Sequence, residues 1–123
     1  MAGRRDPGLD ALLALDGVVL VVDPAGGHWV RFTVRRVPET AEKPHGLDYS
    51  LTLHGPTGER LVGFDNAHPV RRTAGPGGRA PVVRDHRHRA GTVRPYRYAD
   101  AAALLEDFWA DVDTMLKERG VRP

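Results

Sequence analysis

Leu47-Asp48-Tyr49-Ser50-Leu51-Thr52-Leu53-His54, then Gly55-Pro56-Thr57-Gly58, then Arg60-Leu61-Val62-Gly63-Phe64, is the stretch that decides the fold. Leu47, Tyr49, Leu51 and Leu53 alternate with Asp48, Ser50, Thr52 and His54, the period-two pattern of a strand buried on one face. The Gly/Pro segment turns the chain, and residues 60–64 run back beside the first strand. Upstream, Val30, Phe32 and Val34 alternate with Trp29, Arg31, Thr33 and Arg35, giving a further strand of the same kind. Between these runs lies a loop with Pro38, Pro44 and Gly46. Residues 17–23 form a β-branched apolar run suited to a strand, or to a hairpin turning at Asp16-Gly17, and 9–15 can form one or two helical turns.

Downstream, 81–89 and 93–98 read as two short strands divided by Ala90-Gly91. Asp100 is a good N-cap for the helix that follows, whose Leu105, Phe108, Val112 and Met115 recur at helical spacing, with Leu104, Trp109 and Leu116 widening the stripe. Lys117 and Arg119 near its end and Gly120 after it agree with the dipole and capping rules. The fold class is therefore α+β: an antiparallel meander of roughly five to six strands with a long C-terminal helix on one face. The opposite, polar face would carry Arg31, Arg35, Thr52 and His54, a place for a ligand.

The chain of 123 residues suits one core. The reading is a single domain over 1–123, with a disordered tail at 1–8, a Gly/Pro-rich insertion loop at 69–81 and the helix within 99–119. There is no cysteine, which excludes disulfides, thiol nucleophiles and cysteine-ligated metals. No apolar run approaches the roughly 18–20 residues that span a bilayer, and no signal-peptide core forms, so a cytoplasmic location without membrane contact is expected. Net charge is only +2, but Arg84, Arg87, Arg89, Arg94 and Arg97 cluster with Asp85 as the one acid among them. Guanidinium groups grip phosphate in a bidentate fork, so the segment favours polyanions such as RNA; a codon bias that turns surface Lys into Arg would give the same composition.

The strongest constellation is Asp85-His86-Arg87-His88. In an extended chain His86 and His88 share a face about 7 Å apart at the backbone, with Asp85 and Arg87 opposite. One imidazole can take a proton from a ribose 2′-hydroxyl while the other gives one to the leaving oxygen, with Arg84 and Arg87 on phosphate. Alternatively the same nitrogens can hold a divalent metal, with Asp65 or another carboxylate completing the shell; no organic cofactor is implied. The bland reading is two surface histidines on an edge strand. Asp65 can orient an imidazole and Asn66 can reach a phosphate, though Asp-Asn is also ordinary turn chemistry. His54 on the polar face and Tyr96 beside Arg94 and Arg97 are candidate substrate contacts, although Tyr96 and Tyr98 can equally pack against the helix. His28 and His45, beside Gly and Pro in loops, read as solvent-exposed spectators, and the role of His68 stays open.

The order Tyr49-Ser50-Leu51, Phe64-Asp65-Asn66, Asp85-His86-Arg87-His88, Arg94-Pro95-Tyr96-Arg97-Tyr98 and Leu104-Leu105-Glu106-Asp107-Phe108 resembles the TumE family of toxin–antitoxin toxins, over about residues 17 to 118. In that family an aromatic-Asp-Asn element is followed closely by Gly-Lys-Gly and His-x-His, then Pro-Tyr and a terminal helix. Here an insertion at 69–83 separates the Asp-Asn and His-x-His elements, Gly-Lys-Gly is absent, and Val93-Arg94 replaces an acid ahead of Pro-Tyr. The resemblance implies a bacterial growth-inhibiting toxin of a type II system, neutralised by a helix-turn-helix antitoxin protein. It also implies a site at Asp65, Asn66, Asp85, His86 and His88. With the paired imidazoles it leads to an endoribonuclease; a non-catalytic module binding nucleic acid or protein through the basic sheet face is the alternative, and a homodimer is compatible with either. All of this requires residues 65–66 and 86–88 to meet in one solvent-open pocket.

Overall fold

The computed structural model describes residues 6–41, 43–66 and 85–123, and the backbone of 70–71 and 82–83. Two helices and eight strands follow in the order α1 (Leu9–Ala14), β1 (Val19–Val21), β2 (Trp29–Arg36), β3 (Leu47–His54), β4 (Arg60–Asp65), β5 (Val70–Arg71), β6 (Val82–Val83), β7 (His86–Arg89), β8 (Thr92–Pro95) and α2 (Ala101–Glu118). Six strands form one antiparallel sheet in the order β1-β2-β3-β4-β7-β8, and β5 and β6 form a separate pair. The expected meander with a covering C-terminal helix is what the chain adopts. The run expected as one strand over 81–89 is two pieces, because β6 pairs with β5 while β7 pairs with β4. Most of the insertion expected at 69–81 lies outside the described residues.

The alternation in β2 and β3 sends Val30, Phe32, Val34, Leu47, Tyr49, Leu51 and Leu53 into the core, where each is 1% exposed or less. The helix meets them because its spacing puts Leu104, Phe108, Val112, Met115 and Leu116 on one stripe. Phe108 is the centre of this contact, edge-on to Phe32 at 5.6 Å and to Phe64 at 6.2 Å. Trp109, expected in the core, stands at its border with 36% exposure, its ring 5.9 Å from that of Phe32. The helix is capped as its sequence suggests: the Asp100 carboxylate accepts from the Ala103 amide at 2.7 Å, and Gly120 follows with φ 74°. In the β7–β8 turn both Ala90 (φ 46°) and Gly91 (φ 90°) take the left-handed conformation, as a two-residue hairpin loop requires.

Residues 6–8, expected within the tail, are tied to α2. Asp6 accepts from the Ala101 amide and from the Tyr98 hydroxyl, both at 2.6 Å. Gly8, at φ +81°, leaves no room for a side chain: a Cβ would come within 2.8 Å of the Ala102 amide nitrogen.

Asn66 closes the end of the β3–β4 pair. It is fully buried; its side-chain oxygen accepts from the Tyr49 amide at 2.9 Å and its amide donates to the Leu47 carbonyl at 2.7 Å. Asn66→Ala leaves two buried backbone groups unpaired, so it is expected to cost about 2–3 kcal/mol. Phe108→Ala, which opens a cavity against two aromatic rings, is expected to cost about 3–5 kcal/mol. Urea unfolding followed by circular dichroism checks both, and a loss below about 1 kcal/mol in either would contradict the packing described.

Candidate functional site

The site is a consequence of register. β4 and β7 pair so that Asp65 stands opposite His86 and Gly63 opposite His88. Side chains alternate across the sheet, so these four residues share the face turned away from α2, while Phe64 and Arg87 share the helix side. His86 Nε2 lies 2.7 Å from Asp65 Oδ1, and His88 Nε2 lies 3.3 Å from Asp65 Oδ2. The two imidazole rings meet edge to face with centroids 4.7 Å apart. One carboxylate thus stands between two imidazoles, and the donor atoms of all three residues fall within 4.8 Å of one another.

The cluster is almost covered. His86, Asp65 and His88 side chains are 3%, 10% and 12% exposed. Among the described residues Asp65 Oδ1 and His88 Nε2 are buried without a hydrogen bond of acceptable direction, despite the close approaches just given. Arg60 reaches in from solvent, its Nη2 3.0 Å from His88 Nδ1. A guanidinium can only donate, so Nδ1 is the acceptor and the ring proton is on Nε2. Desolvation first, then the Arg60 cation and His86, hold His88 below the ordinary imidazole pKa of 6.5, against the upward pull of Asp65. His88 is therefore neutral at pH 7. Around the cluster the same face presents Ser50, Thr52 and His54 from β3 and Arg31 and Arg35 from β2.

Asp65, His86 and His88 are thus brought together, in a covered rather than a solvent-open setting. Other residues singled out from sequence stand elsewhere. Asn66 braces β3, as described. Asp85 faces the helix side, accepting from the Tyr49 hydroxyl at 2.7 Å and from His45 Nε2 at 3.0 Å; burial and that carboxylate push the Tyr49 phenol far above its usual range. Arg87 is also on the helix side, over the Phe64 ring and 2.6 Å from Asp111. Tyr96 stands edge-on to Phe64 and donates to Asp107 at 2.6 Å. His54 is on the open face, stacked on Trp29 with centroids 4.1 Å apart and bonded to Thr52 at 2.9 Å. Arg84 and His68 lie outside the described residues.

His28 and His45 are not the solvent-exposed spectators expected. The His28 side chain is 7% exposed, 2.5 Å from Asp23, and accepts from Arg119 Nε at 3.1 Å. That arrangement ties the β1–β2 turn to the end of α2. His45 is 8% exposed because Asp85 and the Tyr98 ring enclose it. Gly63 and Arg60, conversely, carry a part that sequence reading missed. A Cβ on Gly63 would stand 3.2 Å from Arg60 Cδ and 3.5 Å from His88 Cδ2, so the glycine makes the lane through which Arg60 reaches His88. A glycine inside a strand opposite the second histidine was the available signal.

No helix among the described residues is long and apolar enough to cross a membrane. Among curated proteins and solved structures no match is found. Residues 16–116 match the family described as Toxin TumE, a span that takes in the whole six-stranded sheet, the Asp65–His86–His88 cluster and most of α2. With that much of its length matched, including every residue of the cluster, the chain belongs to the Toxin TumE family.

Proposed function

We propose that this toxin is an endoribonuclease that arrests growth by cutting RNA at the Asp65–His86–His88 cluster, and that its antitoxin is a helix-turn-helix protein. The single observation that carries the reading is the convergence of two imidazoles on one carboxylate, on the sheet face that α2 leaves uncovered. Arg31, Arg35 and Arg60, all exposed, stand on that same face and give an RNA backbone its cationic contacts. Ser50, Thr52 and the stacked Trp29–His54 pair add polar and aromatic surface beside them.

In the proposed reaction the ribose 2′-hydroxyl gives its proton to the cluster and the 2′-oxygen bonds to phosphorus. The bond from phosphorus to the 5′-oxygen breaks, and that oxygen leaves with a proton from the cluster. The products are a 2′,3′-cyclic phosphate and a 5′-hydroxyl end, with no net change in protons. Arg60, beside His88, is placed to offset charge building on the phosphoryl oxygens.

Purified protein incubated with total RNA is expected to cut it, and His86→Ala and His88→Ala are expected to lower the rate by about 100-fold or more. In cells, expression without antitoxin is expected to arrest growth, and either substitution to relieve the arrest. RNA left intact by folded wild-type protein would overturn the nuclease reading, and RNA bound but uncut would favour a binding module on the same face.

A further inference from the structure

We propose that Asp65, His86 and His88 form a binding site for one divalent transition-metal ion, of which Zn²⁺ and Co²⁺ are the probes of choice. The inference deepens the RNA reading and rests on it for the ion's role, while binding itself is independent of any RNA chemistry.

Three features carry it. First is the donor set: two imidazole nitrogens and one carboxylate, which favours ions of the Zn²⁺ class over Mg²⁺ or Ca²⁺, whose sites are built from oxygens. Second is spacing. An ion held tetrahedrally about 2.0–2.2 Å from each donor separates neighbouring donors by about 3.3–3.6 Å; Asp65 Oδ2 stands 3.3 Å from His88 Nε2, Oδ1 stands 2.7 Å from His86 Nε2, and the donor atoms of the three residues all lie within 4.8 Å of one another. Side-chain rotation that closes the widest donor separation by about 1 Å completes the shell. Third is the state of two donor atoms: Asp65 Oδ1 and His88 Nε2 are buried without a well-directed hydrogen bond among the described residues. Burying such atoms unpaired is costly, and an ion between them removes that cost. The alternation of the strands supplies the rest. β7 presents His86 and His88 to one face, β4 presents Asp65 to the same face from the neighbouring strand, and three protein ligands leave further positions for solvent or a phosphoryl oxygen. Bound there, the ion would lend Lewis-acid charge to a phosphoryl oxygen and lower the pKa of its own water.

Arg60 acts as a latch on this site. Its guanidinium donates to His88 Nδ1, which keeps the ring proton on Nε2, the nitrogen the ion requires. Ion binding at Nε2 moves that proton to Nδ1, where it and the guanidinium would face each other as two donors, so Arg60 must turn back to solvent. Arg60 is exposed and free to do so. Removing it therefore strengthens ion binding.

The test is calorimetric titration of the metal-stripped full chain with ZnCl₂, with CoCl₂ absorption and the shift in melting temperature as second readouts. The wild type is expected to take up one ion per chain and to melt higher with Zn²⁺ present, with no comparable response to MgCl₂. His86→Ala and His88→Ala are expected to weaken binding by more than about 100-fold, above the loss of an outer-shell partner. Asp65→Asn, which keeps the shape of the side chain, is the variant to use where an alanine variant fails to melt cooperatively. Arg60→Ala is expected to tighten binding by about tenfold, through loss of one repulsion and one competing hydrogen bond. Absence of binding to folded wild type, binding undiminished in both histidine variants, or affinity unchanged or lower in Arg60→Ala would each overturn the site. RNA cut equally well by metal-free protein that binds no ion would remove the metal site and leave the nuclease. An ion bound as described by protein that leaves RNA intact would do the reverse.

Discussion

The pairing of β4 with β7 is the constraint on which the candidate site depends. Asp65 is the last residue of β4 and His86 the first of β7, set opposite each other although the β5–β6 excursion lies between them in sequence. A slip of one residue would turn both histidines to the helix side and bring Asp85 and Arg87 to the open face. What resists that slip is the chemistry of the helix side. Arg87 is held by Asp111 and by the face of Phe64, Asp85 by the Tyr49 hydroxyl and His45, and Arg89 by Glu118. Each contact is made only in the observed register.

The short segment Asp85-His86-Arg87-His88 thus does two jobs through its alternation. Its odd positions fasten the strand to the core and to α2, and its even positions supply imidazoles to the face turned away from α2. The resulting asymmetry is electrostatic as well as geometric. On the helix side Arg87 and Arg89 are matched by Asp111 and Glu118, whereas on the other face Arg31 is exposed, Arg60 reaches from solvent to His88, and Arg35 pairs with Asp48. The exposed Arg31, Arg35 and Arg60 thus stand on the face that holds the histidine cluster.

Much of this could be read from residue order alone. The alternation of β2 and β3, the turn at 55–58, the Asp100 cap and the apolar stripe of α2 are local signals backed by burial, and the fold follows them. The family resemblance drawn from the Phe64-Asp65-Asn66 and His-x-His elements also holds. What could not be read is which face a residue takes when the pattern is uniformly polar. Asp85, Arg87 and Tyr96 carry the same chemical promise as His86 and His88, yet their destinations are set by partners on α2 and β3 that are distant in sequence. Asn66 belongs to the same class: its side chain replaces missing strand hydrogen bonds at Leu47 and Tyr49, a use invisible without the neighbouring strand. His28 and His45 were misjudged because loop position suggests exposure, while each ring is drawn into a covered contact with a carboxylate, Asp23 or Asp85.

Covered imidazoles beside one carboxylate are a demanding arrangement to maintain, since each buried polar atom without a well-directed partner weakens the fold. The cluster lies next to Gly63, whose missing side chain leaves the lane by which Arg60 reaches His88. The most direct measurement is a long-range ¹H–¹⁵N spectrum of the histidine rings of the intact chain as Zn²⁺ is added. A shared centre predicts that the ring nitrogens of His86 and His88 shift together and saturate at the same ion concentration, with His28, His45 and His54 unmoved. Separate saturation of the two, or shifts confined to the other rings, would contradict it.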